Sequence, residues 1–316
     1  MKKKLLLFAL MPLLMSSLTG CKKKADFNIG IIQFGPIPAL TQATKGFKAQ
    51  FKSMIGSKTV DFEFKNAQLD GSAASAIVNT FVSKQKDLIM ANATPCVQAA
   101  ANATATIPIL GTSVTTYEGA FGGSIPSNVS GTSDLADLDA QAAMVFEWYP
   151  SATKIGVLYC TAEPNSLYQV NMIKTALNNL KSGLVITEVS FSDTNDLSLK
   201  LSAAAPNLDV LYIPTDNTCA DNASSINTLC VSNHLPVIAG EAGICKDCGL
   251  ATLSIDYYRL GQITGKMAYE VLVEHADISH MEIRYDETQT KYYNPAALAD
   301  LGLTEADVPE GYLPLE

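Results

Sequence analysis

The residues of this chain that could bind a small molecule stand directly after its predicted strands. They are rich in hydroxyl, amide and carboxylate groups, and Phe34 and Tyr257 add aromatic surface. Hydroxyls and helix-start N–H groups can hold a carboxylate without arginine, while Asp216 or Glu241 can accept bonds from an ammonium group. This chemistry predicts a small zwitterion as ligand. The candidate ligand-binding residues are Gln33, Phe34, Thr94, Pro95, Ser113, Val114, Thr115, Asn165, Ser166, Thr215, Asp216, Asn217, Glu241, Asp256 and Tyr257.

Each of these polar side chains also has a structural interpretation, because Ser, Thr, Asp and Asn are the usual caps at helix N-termini. For any single residue, capping is the more frequent role. Asp216 illustrates the alternatives, since it either caps the following helix or faces a ligand ammonium group. In the second case, losing its charge should weaken binding by more than about thirty-fold.

The elements that must position these residues are strands and helices in alternation, which predicts βαβ units and parallel sheets. The same rhythm restarts after residue 134, so we expect an α/β fold of two similar doubly wound lobes with a ligand cleft between them. Ligands of such sheets lie beyond the carboxyl ends of the strands. Strands are predicted over 28–33, 60–65, 87–91, 108–111, 154–159, 184–189, 209–213, 236–239, 251–255 and 281–285, and helices over 39–55, 72–85, 95–103, 138–148, 165–181, 219–233, 258–274 and 295–301.

The predicted organisation places a signal peptide at 1–20 and a short tether at 21–26. Lobe 1 comprises 27–134 plus 256–284, and lobe 2 comprises 135–255 plus 285–316. A hydrophobic content of 47% and a charged content of 17% are typical of a globular chain with a substantial core. The net charge of −9 argues against nucleic acid as a partner.

Catalysis has little support in the sequence. His234, His275 and His280 stand at or near the ends of predicted helices, away from the strand-end loops. Motifs for a nucleophile elbow, a metalloprotease helix or a phosphate loop are missing from the sequence. We therefore predict no catalytic residue, no metal and no cofactor. An extracytoplasmic hydrolase that uses Asp216 or Glu241 is the alternative of a different class.

The chain has 7 cysteines. Cys219 and Cys230 fall on one predicted helix, about 16 Å apart along its axis, which is beyond the ~7 Å that a disulfide permits between Cα atoms. Cys245 and Cys248 form a lone Cys-Lys-Asp-Cys, whereas a zinc site needs four ligands. A local disulfide or free thiols are the two interpretations left open.

The N-terminus has the three regions of a secretory signal peptide, in which Lys2–Lys4 precede an apolar run over 5–14 and a small-residue exit. The apolar run is too short to span a bilayer, which takes ~20 residues. Leu18-Thr19-Gly20-Cys21 resembles the lipobox of bacterial lipoproteins. That resemblance implies cleavage before Cys21, lipid attachment to Cys21, and an extracytoplasmic protein anchored to the bacterial membrane.

The mature chain resembles the ABC-transporter substrate-binding lipoproteins of the tryptophan/tyrosine-binding type, a branch of the type I periplasmic binding proteins. The resemblance implies an ABC importer, its permease subunits as partners, a monomer, and an aromatic or other apolar amino acid as ligand. It departs at Ile37, where the family commonly has histidine, and at Cys160, where asparagine is usual. A lipoprotein sensor that signals to a membrane partner is the alternative. The residues that carry the resemblance are Asn66-Ala67-Gln68 with Asp70, Ala93-Thr94-Pro95, Ile107-Pro108-Ile109-Leu110, Gly131-Thr132-Ser133-Asp134, Ile155-Gly156-Val157-Leu158-Tyr159, Glu163-Pro164-Asn165-Ser166, Pro214-Thr215-Asp216-Asn217-Thr218, and Ile255-Asp256-Tyr257-Tyr258 with Leu260-Gly261.

Overall fold

The computed structural model describes residues 25–316, so the predicted signal peptide, the lipobox and Cys21 lie outside the described residues. The described chain forms two α/β units, each built on its own sheet. All the strand pairs are parallel except the pair of the tenth and twelfth strands, which is antiparallel. This is the α/β architecture that the alternation of apolar runs and helices predicts.

The first unit has a six-stranded sheet in the order β11-β5-β4-β3-β1-β2. Its inner strands β3, β4 and β5 are buried throughout, because helices cover both faces of the sheet. The strands are β1 (Phe27–Gln33), β2 (Val60–Asn66), β3 (Leu88–Asn92), β4 (Ile109–Val114), β5 (Val129–Ser133) and β11 (Arg284–Tyr285), and the helices are α1 (Pro38–Met54), α2 (Gly71–Ser83), α3 (Thr94–Ala103), α4 (Tyr117–Phe121) and α11 (Tyr257–Leu272).

The second unit has a seven-stranded sheet in the order β13-β12-β10-β9-β8-β6-β7. Apolar clusters fill the space between each face of this sheet and its helices. The strands are β6 (Lys154–Cys160), β7 (Val185–Phe191), β8 (Val210–Ile213), β9 (Val237–Ala239), β10 (Ala251–Ser254), β12 (Thr290–Tyr293) and β13 (Leu313–Pro314), and the helices are α5 (Leu138–Trp148), α6 (Pro164–Leu180), α7 (Thr194–Ala204), α8 (Asn217–Asp221), α9 (Ala223–Ser232), α10 (Ala242–Cys248) and α12 (Pro295–Asp300).

Strand register brings the carboxyl ends of the first sheet to one edge. Gln33 at the end of β1 pairs with Asn92 at the end of β3, and Asn92 pairs with Thr112 in β4. Beyond Gly111 the register of β4 against β5 shifts in an irregularity that includes Ser113, whose φ is 54°. Such a bulge re-aims a side chain. The loops that follow these strands therefore open at the same edge.

Helix α11 returns the chain from the second unit to the first and packs along α1. The two helices approach closely because glycines stand at their contact. A Cβ atom added at Gly46 would overlap the backbone oxygen of Tyr258, and one added at Gly261 would overlap that of Ala43. This tight packing fixes the start of α11, and with it Tyr257, against the first sheet.

Three predictions about elements were wrong. The single helix predicted over 219–233 is two helices, because the backbone of Asn222 leaves the helical conformation, with φ −109° and ψ 13°, between α8 and α9. The strand predicted over 281–285 begins only at Arg284, after a 3-10 turn at Ile278–His280. The helix predicted over 295–301 is not the last element of the described chain, since β13 adds an edge strand to the second sheet.

No strand is predicted between residues 111 and 154, whereas the structure has β5 there. Its sequence, Val-Ser-Gly-Thr-Ser, has no apolar run, yet each of its residues is buried in the first sheet. Hydroxyls there find partners inside the protein, as when Thr132 Oγ1 contacts Thr112 Oγ1 at 3.1 Å and Thr264 Oγ1 at 2.9 Å. Internal hydrogen bonds of this kind offset the free-energy cost of burying polar strand residues.

The cysteines within residues 25–316 are free thiols in the structure, namely Cys96, Cys160, Cys219, Cys230, Cys245 and Cys248. Cys219 lies on α8 and Cys230 on α9, so the prediction that they share one helix was wrong. Among the described residues, no group of three or more His, Cys, Asp or Glu side chains could hold a metal ion. The same part of the chain contains no helix with the length and apolarity needed to cross a membrane.

Candidate ligand-binding site

A cavity with about 360 Å³ of space between its lining atoms lies between the two units, at the carboxyl ends of their strands. Small-molecule sites of proteins commonly combine apolar walls with a few placed polar groups. Side chains from both units contribute to it. The lining residues are Ile37, Ala39, Leu40, Thr94, Ser113, Thr115, Asp134, Asn165, Thr215, Asp216, Asn217, Ala220, Glu241, Ile244 and Tyr257.

The structure brings together at this cavity most of the polar residues predicted from strand ends. Those that line it are Thr94, Ser113, Thr115, Asn165, Thr215, Asp216, Asn217, Glu241 and Tyr257. The remaining candidates are placed elsewhere, each for a physical reason. They are Gln33, Phe34, Pro95, Val114, Ser166 and Asp256.

Gln33 is committed to bonds within the first unit, since its Nε2 donates to the Gly35 carbonyl at 2.7 Å and its Oε1 accepts from the Thr44 hydroxyl at 2.8 Å. Phe34 and Val114 belong to the apolar core beneath the first sheet's helices. These residues therefore hold the cavity wall in place without lining it.

Ser166, Pro95 and Asp256 serve the helices in which they stand or which they cap. Ser166 is fully buried and accepts a weak bond of 3.4 Å from the amide of Asn165. Pro95 stands in the first turn of α3. Asp256 is exposed and caps α11 by accepting the N–H of Arg259 at 3.1 Å.

The prediction from residues that follow strands did not include the apolar residues of the lining or one of its acids. Ile37, Ala39, Leu40, Ala220 and Ile244 come from helix starts or from within short helices rather than from strand-end loops. A search extended to the first turn of each following helix would have found most of them. The acid is Asp134, which directly follows β5, the strand that the sequence did not reveal.

Polar atoms without a partner face this region. Thr94 Oγ1, Ser113 Oγ and Asn165 Oδ1 are each buried and make no hydrogen bond in the structure. A buried polar atom left unpaired costs about 1–3 kcal/mol. Three such atoms on the lining of one cavity are free to bind a polar ligand.

The backbone beside two of these atoms adopts uncommon conformations. Ala93, directly before Thr94, has φ 86° and ψ 154°, and Ser113 has φ 54°. For residues other than glycine, positive φ costs of order 1–3 kcal/mol and is concentrated at functional sites. Here it occurs at the carboxyl ends of the adjacent strands β3 and β4, where the side chains turn toward the cavity.

Asp134 is a buried carboxylate bonded by hydroxyl groups. The Tyr257 hydroxyl donates to its Oδ2 at 3.0 Å, and the Thr115 hydroxyl donates to its Oδ1 at 3.3 Å. Burial raises the pKa of Asp134 to about 6, although both hydroxyl bonds oppose the shift. Its charge is thus costly in the closed cavity.

Asp216 caps the short helix α8 and also anchors strand β6. Its Oδ1 accepts the N–H of Cys219 at 2.8 Å, and its Oδ2 accepts the N–H of Cys160 at 2.8 Å. Burial and then the nearby Glu163 carboxylate raise the pKa of Asp216 to about 7, while the two backbone bonds oppose the shift. Both oxygens are thus engaged within the protein.

Glu241 caps α10 in the same manner. Its two oxygens accept the backbone N–H groups of Gly243 at 2.7 Å and Ile244 at 2.5 Å. Burial raises the pKa of Glu241 to about 7, against the effect of these two bonds. The cavity lining thus carries three carboxyl groups and contains no Lys, Arg or His.

The two units touch across the cavity. The Gln169 amide on α6 donates to Thr115 of the first unit at 3.4 Å and also to the carbonyl oxygen of Thr215 at 3.2 Å. Ala220 on α8 packs against the apolar core of the first unit as well as its own. The cleft is therefore closed, and a ligand within it would be enclosed by both units.

The arrangement fits binding better than covalent chemistry. The lining holds neither His nor Cys, and two of its three acids are engaged as helix caps. A general base must be within hydrogen-bond reach of a proton that it can take, and a nucleophile needs such a base beside it. Complementary polar groups around an enclosed, partly apolar volume are what reversible capture of a small solute requires.

Known proteins similar to this chain share its architecture. A curated relative, the "Tyrosine-binding protein" of Clostridioides difficile (strain R20291), is 37% identical over 278 residues, which is 81% of this chain and 80% of that protein. A Streptococcus pneumonia ABC domain crystallised with L-Trp is 27% identical, with a TM-score of 0.82 over 87% of this chain and 95% of that one. A ligand-free, open substrate binding protein with adhesive properties from Clostridium difficile is 34% identical, with a TM-score of 0.68 over 92% of this chain and 100% of that one.

The match to a family model decides the classification. Residues 28–308 match the family described as ABC transporter substrate binding protein, which is nearly all of the described chain. Members of this family are extracytoplasmic proteins that deliver a small molecule to the permease of an ABC transporter. The two facing α/β units are those of the type I periplasmic binding protein fold. This chain belongs to the ABC transporter substrate binding protein family.

Proposed function

We propose that this protein captures an aromatic or other apolar amino acid between its two units and delivers it to an ABC importer. The observation that carries the proposal is the division of the cavity lining. One part is apolar, with Ile37, Leu40 and Ile244, and suits an apolar ligand side chain. The other part offers unpaired polar atoms and a carboxylate, which suit the charged groups of an amino acid.

The unpaired hydroxyls and the amide oxygen have the right chemistry for the two ends of a zwitterion. Thr94 and Ser113 can donate hydrogen bonds to a carboxylate, whereas Asn165 Oδ1 can only accept and suits an ammonium group. One relative is a tyrosine-binding protein and another was crystallised with L-Trp, which supports an aromatic amino acid as the ligand.

The closed cleft also supports a capture mechanism. The TM-score is higher with the ligand-bound relative than with the open, ligand-free one, although sequence identity is lower with the bound one. A higher similarity to the bound form is expected when the two units are closed upon each other. Closure is a hinge motion that a ligand stabilises by contacts made only in the closed state.

The sequence supports further parts of the proposal. Lobe 1 comprises 27–134 plus 256–284, and lobe 2 comprises 135–255 plus 285–316. The boundary between residues 284 and 285 falls inside β11. The mature protein begins at a lipidated Cys21, is anchored to the bacterial membrane and acts as a monomer without a cofactor or enzymatic activity. A lipid of two or three chains anchors stably, whereas one chain alone binds a membrane only marginally.

Thermal shift of the mature chain with a panel of amino acids, sugars, nucleosides and peptides tests the ligand class. A ligand that binds only the folded state raises the melting temperature by mass action. We expect the largest shift with an aromatic amino acid, followed by one-to-one binding in calorimetry without added metal. A response to sugars or nucleosides alone would overturn the amino-acid proposal and leave the transporter family intact.

A further inference from the structure

We infer that Asp134 is the carboxylate that accepts the ligand's ammonium group, and that it makes the closed cleft selective for amines over ligands of the same shape without one. This inference rests on the proposed amino-acid binding. The reasons are the different commitments of the three cavity carboxylates, the charges around Asp134 and its position in the chain.

Asp216 and Glu241 are already stabilised by helix starts. Each accepts two backbone N–H bonds and caps the N-terminus of a short helix, so both of its carboxylate oxygens are already bonded within the protein. A ligand ammonium would add little that these oxygens lack. Asp216 and Glu241 therefore hold the second unit's side of the cavity in place, and neither is the better partner for a charged ligand group.

Asp134 caps no helix, so its oxygens are not tied to a helix start. The helix that follows it, α5, is capped by Asp137 instead. The side-chain bonds to its carboxylate come from the neutral hydroxyls of Thr115 and Tyr257, which can rotate to share the oxygens with a ligand. Asp134 is only 4% exposed, so water does not compensate its charge either.

The titratable groups that face Asp134 add no positive charge. They are Tyr257 from α11, Tyr117 from α4 and Glu241 from α10. The two phenols are neutral in the ordinary pH range, and Glu241 is an acid. An ionised Asp134 in the empty closed cleft is therefore a buried charge without a counter-ion, which is costly. A ligand ammonium supplies that counter-ion.

The position of Asp134 links this contact to closure. Asp134 directly follows β5, where the chain leaves the first unit, and Tyr257 opens α11, where the chain returns to it. Their hydrogen bond joins two of the segments that cross between the units. An ammonium bound at Asp134 thus relieves the uncompensated charge where the chain crosses between the units, so we expect closure to be favoured only when the ligand carries a positive charge.

Calorimetric titration with a matched ligand pair tests the inference. The pair is L-phenylalanine and 3-phenylpropionate, which has the same ring and carboxylate but no amine, or the corresponding pair for whichever aromatic amino acid binds best. We expect Asp134→Asn to weaken amino-acid binding by more than about thirty-fold, as for loss of a buried charged partner. Binding of the des-amino analogue should be unchanged or tighter, because no uncompensated charge remains.

Asp139→Asn is the control, because Asp139 is exposed on α5 and its replacement makes the same chemical change outside the cavity. It should leave both affinities unchanged. Equal losses for both ligands in Asp134→Asn, or no loss for either, would overturn the inference. Failure of the wild-type protein to bind any amino acid would instead overturn the proposed function.

Two further variants keep the test decisive. Asp134→Glu retains the charge and should retain the preference for the amine within about tenfold, as expected when only the geometry of a charged bond changes. Loss of that preference in Asp134→Glu would count against the inference. If Asp134→Asn melts too low for titration, Asp134→Ser retains a hydroxyl partner for Tyr257 in a smaller side chain, and the same reversal of ligand preference is expected.

Discussion

Glu163 and Asp216 bind the first turn of the same short helix from two directions. Glu163, which precedes α6, accepts the N–H of Thr218 at 2.8 Å, and Asp216 accepts the N–H of Cys219 at 2.8 Å. The Glu163 carboxylate also accepts the side-chain amide of Asn217 at 2.7 Å. Two buried acids thus hold α8 at the rim of the cavity, and their mutual repulsion contributes to the raised pKa of Asp216.

Replacing Asp216 with asparagine should affect folding more than binding. The amide provides one acceptor where the carboxylate provides two, so one of the buried N–H groups loses its partner. We expect the free energy of unfolding to fall by about 1–3 kcal/mol, as measured by urea denaturation. Affinity for the best ligand, measured at a temperature where the variant is folded, should change by less than about tenfold, because the residue's bonds are internal.

Asp221→Asn is the matched control for Asp216→Asn, since Asp221 is exposed at the end of the same helix. It should leave both stability and affinity unchanged. A loss of affinity beyond about thirty-fold in Asp216→Asn, with an unchanged melting temperature, would restore Asp216 as the ammonium partner that its sequence position allows.

The closed empty protein should become less stable as pH rises from 5 to 8. Burial raises the pKa of Asp134 to about 6 and those of Asp216 and Glu241 to about 7, above the ~4 of unfolded carboxyls. Folded carboxyls with raised pKa bind more protons than unfolded ones, so their stabilising contribution is complete below pH ~4 and is lost as pH rises through about 6–7.

Melting temperatures of the ligand-free protein between pH 5 and pH 8 test this pH dependence. Acids with lowered pKa, such as Glu63, Glu188 and Asp209, contribute the opposite trend only at lower pH. We expect a fall in melting temperature across the range and a smaller fall when the best ligand is present. A melting temperature that rises steadily toward pH 8 would show that the pKa values of the cavity carboxyls are not raised in the folded protein.

Removing an unpaired hydroxyl from the cavity should separate stability from binding. Ser113 Oγ is buried without a partner, so Ser113→Ala deletes a group that is unsatisfied in the empty protein. We expect the melting temperature of the empty protein to stay equal or rise. The affinity for the amino acid should fall by about ten-fold or more, since hydrogen bonds to charged groups are worth about 1.5–3 kcal/mol.

Differential scanning calorimetry and titration calorimetry measure both quantities for Ser113→Ala. Ser53→Ala is the control, because Ser53 is an exposed α1 residue that bonds only to the nearby Gln50 carbonyl. Unchanged ligand affinity in Ser113→Ala would remove this hydroxyl from the proposed site.

Cys21→Ser tests the anchor that the N-terminal sequence predicts. Serine cannot take the thioether-linked lipid, so we expect the variant to accumulate as precursor or to appear as soluble protein cleaved elsewhere. Membrane fractionation and mass spectrometry of the N-terminus distinguish these forms from the wild type. A Cys21→Ser protein found at the membrane in correctly processed mature form would contradict the lipobox interpretation.

The sequence by itself determined the alternation of strands and helices. Strands β1, β3 and β6 carry enough adjacent apolar and β-branched residues for local pattern to identify them. These features depend on neighbours along the chain, so spacing alone reveals them. The loops after the strands followed from the same pattern, and with them most of the polar lining of the cavity.

Only the tertiary structure decided which of those side chains face the cavity. Gln33 ends the strand β1 and Thr94 follows the strand β3, yet Gln33 bonds to its own unit while the Thr94 hydroxyl is left unpaired at the lining. Asp134 accepts a hydrogen bond from Tyr257, which is far along the chain. It also lines an enclosed cavity that exists only when the two units close. Burial, desolvation and unpaired polar atoms are properties of non-local packing, and no local pattern of residues contains them.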